Sequence, residues 1–207
     1  YRDKATELYK NMDAYFAWNV EGYETYRYYD GNDVLRSWIC IPLTMGIYDR
    51  AEGTVSALFS DKLWMENGLL TQSGTSTYWD RSTLYAFRGA YACGAREIAT
   101  EYLEKYSATR LLGDHVPYAV EAWPEGNQRH LSTESALYCR IMTEGLFGIR
   151  PIALNAFKLT PQLPEGWNTM SLKRICAFGA TFDIEVKRNK GNALQVLIKK
   201  DNNIIEK

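Results

Sequence analysis

Carboxylates and polar-tipped aromatic rings are the chemical resources of this sequence. Its 207 residues hold 25 Asp and Glu, six Trp and fifteen Tyr, but two His. There is no phosphate-cradling Gly-rich loop, no HExxH and no GxSxG. Acid–base work therefore falls to carboxylates. Glycoside hydrolysis needs that equipment: one carboxylic acid to protonate the leaving oxygen and one carboxylate to activate water or attack. Sugars also present apolar C–H faces that stack on rings, and hydroxyls that need placed polar groups.

The strongest candidate lies in Ala119-Val120-Glu121-Ala122-Trp123-Pro124-Glu125-Gly126. Glu121 sits between apolar neighbours and close to Trp123, surroundings that raise a carboxyl pKa by desolvation. The plainer reading makes Glu121 and Glu125 loop carboxylates bonded to Arg129 or to backbone amides. Asp80, after Tyr78-Trp79, is either a site residue or a helix N-cap. Glu134 is either a site residue or favourable company for a helix dipole. Glu21, Glu24 and Asp30 bind substrate or face water. His115 and His130 are read first as hydrogen-bonding residues and second as substrate contacts.

Composition removes other classes. The net charge is −1, so no basic stripe marks a nucleic-acid face. The longest apolar runs, such as Trp38-Ile39-Cys40-Ile41, are far below the roughly twenty residues of a membrane span. Cys40, Cys93, Cys139 and Cys176 share no close spacing, so no metal site is expected. They read as buried thiols. The chain opens Tyr1-Arg2-Asp3-Lys4, as if inside a longer protein.

Helices must position these residues. Up to about residue 148 the apolar period is near 3.6. It predicts helices over 3–17, with Ala5, Leu8, Met12, Tyr15 and Phe16 on one face, and over 33–47 and 50–64. A fourth starts at Asp80, with Leu84, Phe87 and Tyr91 on one face, and ends at Gly94. Two more cover 95–111 and 133–147. Tight turns alternate with long connections at about 18–32, 65–79 and 112–131. Long connections of this kind usually carry function. In a ring of antiparallel helices all three would lie on one end, where Trp, Tyr, amides and carboxylates collect. After Pro151 the pattern alternates, at 157–160, 181–187 and 193–198, with a turn at Asn189-Lys190-Gly191-Asn192.

Two stretches resemble a known superfamily. The run from His130-Leu131-Ser132-Thr133-Glu134 through Gly145-Leu146-Phe147-Gly148-Ile149-Arg150-Pro151, followed by Leu159-Thr160-Pro161-Gln162-Leu163-Pro164-Glu165-Gly166-Trp167, resembles the end of the six-hairpin (α/α)6 glycosidases. The α-L-rhamnosidase family is the most similar there. Gly68-Leu69-Leu70-Thr71, Tyr78-Trp79-Asp80-Arg81 and Ala86-Phe87-Arg88-Gly89-Ala90 resemble the α-glucosidase and glycogen-debranching branches. The resemblance implies that Glu121-Ala122-Trp123 is the family's Glu-x-Trp segment, with Glu121 the base of an inverting hydrolase. It also implies that the general acid lies upstream, outside this chain.

The expectation is therefore a mainly α chain. Residues 1–150 would be the C-terminal half of an (α/α)6 toroid and 151–207 a small antiparallel β module. The expected function is hydrolysis of a glycosidic bond in a plant or host glycan. Glu121 would be catalytic. Tyr78, Trp79 and Trp123 would form stacking walls, and Asp80, Arg81, Glu125 and His130 would bond hydroxyls. No cofactor or metal is expected. The partners would be an oligosaccharide or glycoside and the missing N-terminal half of the protein, with no nucleic acid and no membrane span. A polysaccharide-degrading role implies secretion or the periplasm by analogy. The alternatives are a non-catalytic carbohydrate-binding or scaffold module, a phosphorylase or lyase, and a helical interaction domain.

Overall fold

The computed structural model describes residues 1–111, 122–123, 132–200 and 203–206. It divides into two compact units, Tyr1–Ile141 and Met142–Lys207.

The first unit opens with α1, Arg2–Phe16, which buries none of its residues. A hairpin follows, β1 (Ala17–Val20) and β2 (Tyr23–Tyr26), with Trp18 opposite Thr25. Its turn residues, Glu21 and Gly22, both have positive φ, 51° and 97°. That backbone matches the right-handed twist of the strands. It is unfavourable for a Glu. Two bonds hold the side chain: the Glu21 carboxylate accepts from the Leu35 N–H at 3.1 Å and the Ser73 hydroxyl at 3.3 Å. Glu21 is thus a staple between three segments.

A short 3-10 turn, Ser37–Ile39, leads into α2 (Cys40–Thr44). The helix expected over 33–47 is shorter because its first residues pair elsewhere. Arg36 bridges Gln72, the Ser37 N–H donates to the Thr71 carbonyl at 3.2 Å, and the Ser73 N–H donates to the Leu35 carbonyl at 2.9 Å. Next is α3 (Ala51–Leu58). A Cβ on Gly53 would stand 2.1 Å from the Glu24 carbonyl oxygen. Only glycine lets α3 lie this close to β2. Beside it, Thr25 and Thr54 share a buried hydroxyl bond at 2.8 Å.

The strands β3 (Trp64–Met65) and β4 (Gly68–Leu69) make a second hairpin. Then β5 (Tyr78–Trp79) runs directly into α4 (Asp80–Ala92). This helix is the centre of the unit. Leu84, Phe87 and Tyr91 are buried, and so are Ser82, Thr83, Ala86, Gly89 and Ala90. It is therefore enclosed well beyond a single apolar stripe. A Cβ on Gly89 would lie 2.7 Å from that of Leu43, so α2 crosses α4 at a glycine. Phe87 joins Trp64, Phe59 and Tyr102 in an aromatic cluster with ring centroids 4.7–6.0 Å apart. Gly94 closes the helix in the left-handed conformation (φ 93°). After α5 (Arg96–Arg110) come β6 (Ala122–Trp123) and α6 (Ser132–Arg140), whose last residues widen into a π turn over Ile141–Leu146.

The second unit is built of antiparallel strands. The hairpin of β7 (Ile149–Ala153) and β8 (Ala156–Leu159) stands beside a meander of β9 (Thr169–Ala177), β10 (Ala180–Arg188), β11 (Leu194–Lys200) and β12 (Asn203–Glu206). Phe157 stacks on Phe178 at 4.8 Å and on Phe182 at 5.4 Å, which joins the hairpin to the meander. The Asn189 side chain accepts from the N–H groups of Gly191 and Ala193 at 2.9 and 3.0 Å and fixes the β10–β11 turn.

The mainly α half-toroid is not what forms. The chain is about 41% helical and 28% strand. Among the described residues there are five antiparallel sheets beside six helices. The reason is local. Connections read as loops at 18–32 and 65–79 close into short ladders, and α2 and α3 have only 5 and 8 residues. The cysteines also differ from expectation: Cys40 is buried and Cys93 half-buried, but Cys139 and Cys176 are exposed. No helix among the described residues is long and apolar enough to cross a membrane.

Candidate functional site

The segment Tyr78-Trp79-Asp80-Arg81 lies where β5 becomes α4. Three neighbours fix its backbone. Leu70 bridges Tyr78, the Thr71 N–H donates to the Thr77 carbonyl at 2.8 Å, and β6 pairs antiparallel with β5. In that ladder Tyr78 is opposite Trp123, and Trp79 is opposite Ala122. The second and third long connections are therefore joined at the aromatic residues singled out from sequence. Glu121, Glu125, His115 and His130 lie outside the described residues.

Asp80 and Arg81 both have intramolecular partners. Asp80 is fully buried, and its Oδ2 accepts from Arg110 Nη2 at 2.8 Å. Arg110 is itself 2% exposed, so this is a buried ion pair tying α4 to the end of α5. Tyr106 lies beside it. Burial first, and the Asp80 charge next, hold its hydroxyl well above the ordinary tyrosine value. Arg81 Nε donates to Glu134 Oε1 at 2.8 Å, and Glu134 is fully buried in the first turn of α6. The start of α4 is thus clamped to two other helices by two ion pairs.

The rings next to this clamp form a cleft. Trp79 meets Trp38 edge to face, centroids 4.7 Å apart and planes at 81°. With Tyr26, Tyr28, Arg36 and Ile39 they line a space of about 660 Å³. That is within the range of roughly 300–1,000 Å³ for small-molecule sites. The Tyr26 hydroxyl, Trp79 Nε1 and Arg36 Nε are all buried without a hydrogen-bond partner among the described residues. Burial pushes the Tyr26 hydroxyl up to about 12. The Arg36 guanidinium lies over the Tyr28 ring, 5.0 Å from its centroid. Arg27, also on the wall, is engaged: it pairs with Asp30, donates from Nε to the Tyr15 carbonyl at 2.8 Å and covers Trp18 at 4.7 Å.

The cleft can hold a flat, partly apolar ligand between rings, with the Arg36 guanidinium on its wall. Among the described residues it is lined by no carboxylate. Trp38, Tyr26, Tyr28 and Arg36 were not singled out from sequence. Trp38 read as part of an apolar helix, and the tyrosines as members of a Tyr-rich loop. Spacing gives no signal for Arg36 and Trp38, because Arg36 is extended whereas Trp38 lies in the 3-10 turn Ser37–Ile39. Among the described residues no three metal-ligating side chains cluster.

No protein-family model and no curated protein match this chain. With the strand-rich fold, this removes the likeness to the six-hairpin glycosidases and to the α-L-rhamnosidase family as a basis for assignment. The short runs behind it, such as Tyr78-Trp79-Asp80-Arg81, have local structural reasons: a ladder strand, a buried helix start and an ion pair.

Proposed function

We propose that this chain recognises a carbohydrate and takes part in hydrolysis of a glycosidic bond, with Glu121 as the carboxylate that activates water. The observation that supports the reading is the cleft itself. Its walls are rings, and the same residues carry polar groups with no hydrogen-bond partner among the described residues. Rings supply contact area for the C–H faces of a sugar, and the polar groups fix its orientation. Glu121 enters on its sequence neighbourhood, next to Ala122 and close to Trp123, whose backbone pairs with Tyr78.

The test is a hydrolysis assay on oligosaccharide substrates with the natural protein and its Glu121→Gln variant. Turnover that falls by at least about a thousandfold while binding and melting temperature persist supports catalysis by Glu121. Near-normal turnover removes Glu121 from the chemistry.

A second reading is a non-catalytic carbohydrate-binding module. The ring-lined cleft supports it as well. It predicts saturable sugar binding with no turnover in either protein.

A further inference from the structure

Among the described residues, Arg36 is a cation with no counter-charge. Its guanidinium stacks on Tyr28, and among the described residues its buried Nε has no hydrogen-bond partner and it forms no ion pair. The other arginine on the wall, Arg27, is neutralised by Asp30. Tyr26 adds a hydroxyl that is likewise unbonded, on a residue only 6% exposed. Among the described residues the lining therefore carries one net positive charge, on a guanidinium that only donates, beside a hydroxyl that can donate or accept.

This combination is selective. An anion beside this half-buried guanidinium would supply the counter-charge that no described residue gives it. A sugar hydroxyl gives and accepts, and a guanidinium accepts nothing, so against Arg36 the hydroxyl's own proton needs another partner. A carboxylate only accepts, and its two oxygens match the guanidinium fork. The aromatic walls, Trp38 and Trp79, require that the same ligand have an apolar face.

We infer that the cleft takes an acidic sugar, a uronate residue of an oligosaccharide, with its carboxylate on Arg36 and its ring against Trp38 and Trp79. This rests on the carbohydrate reading above and narrows it to a substrate class.

The test compares each acid with its own methyl ester, which leaves the sugar unchanged and removes the charge. The full chain is titrated calorimetrically with tri- to hexasaccharides of galacturonate, glucuronate or mannuronate, with their methyl esters, and with neutral glucose oligomers. At least one acid should bind about 10- to 100-fold more tightly than its ester, the ratio a charge-assisted pair confers. Arg36→Ala should erase that preference, and Arg36→Lys should keep only part of it. Equal affinity for acids and esters in the unsubstituted chain overturns the inference and leaves carbohydrate binding standing. A preference that survives in folded Arg36→Ala overturns the role of Arg36. Binding of none of the saccharides, acidic or neutral, overturns the inference and the carbohydrate reading together.

Discussion

Trp38 and Trp79 meet edge to face at 4.7 Å although they belong to different segments, one before α2 and one before α4. The contact joins two walls of the cleft, so each ring positions the other. Trp38→Ala should weaken saccharide binding about tenfold and lower stability by about 1–3 kcal/mol, less than for a fully buried ring because Trp38 is half-buried. Calorimetric titration and urea denaturation read the two effects separately. Unchanged affinity with reduced stability would make the pair structural only.

The Asp80–Arg110 ion pair should respond asymmetrically. Replacing Arg110 with Met takes the guanidinium away from the buried Asp80 carboxylate, at a cost of about 3–5 kcal/mol. Replacing both, Asp80→Leu with Arg110→Met, should recover most of that loss. A double-mutant cycle in urea is the check, and a double variant as unstable as Arg110→Met would contradict it.

Gly53 should tolerate no side chain. A methyl there meets the Glu24 carbonyl at 2.1 Å, so α3 must move off β2. We expect Gly53→Ala to destabilise by about 3 kcal/mol or more, although the same change in an exposed helix would stabilise by up to about 1 kcal/mol. Gly46→Ala provides a contrast: nothing lies within 4 Å of its Cβ position, and the expected cost there comes from its positive φ (83°) alone.

The meander should carry an acid-sensitive element. Glu185 accepts from Lys187 Nζ at 2.7 Å and Lys199 Nζ at 2.6 Å. The Lys187 bond first, and the Lys199 bond next, pull its carboxyl down to about 2 from an ordinary value of 4.5. The depressed value means the native state favours the ionised form. This contribution is present in full above the ordinary carboxyl range and is lost as pH falls from about 4.5 towards 2. Glu185→Gln should lower the neutral-pH plateau and flatten that part of the stability–pH curve by the same modest amount, because the pair is partly exposed. An unaltered acid limb would show that other carboxylates control it.

Much of the helical framework is legible in the sequence. The Leu84, Phe87, Tyr91 face is buried, Gly94 takes the left-handed cap, and Asn189 organises a hairpin where turn residues cluster. What is not legible depends on partners distant in the chain. The ladder of Tyr78 and Trp123 is two residues long on each side, too short for any alternation to register. Asp80 and Arg110, 30 positions apart, show no local sign of their pairing. The helix expected over 33–47 gives way because Ser37 and Leu35 find backbone partners at Thr71 and Ser73. The site was legible in residue types more than in position. Tyr78 and Trp79 lie beside the third long connection, as aromatic-rich loops suggest, but Asp80 and Arg81 are clamped by Arg110 and Glu134, and the cleft's cation is Arg36.

The central claim is that the Trp38–Trp79 cleft binds a saccharide. The most direct measurement is calorimetric titration of the full chain and its Trp79→Ala variant with acidic and neutral oligosaccharides, both proteins first shown to melt cooperatively. Saturable binding by the unsubstituted chain, weakened at least about tenfold in Trp79→Ala, is the predicted result. Equal affinities in the two proteins, or no binding of any saccharide by the unsubstituted chain, would contradict it.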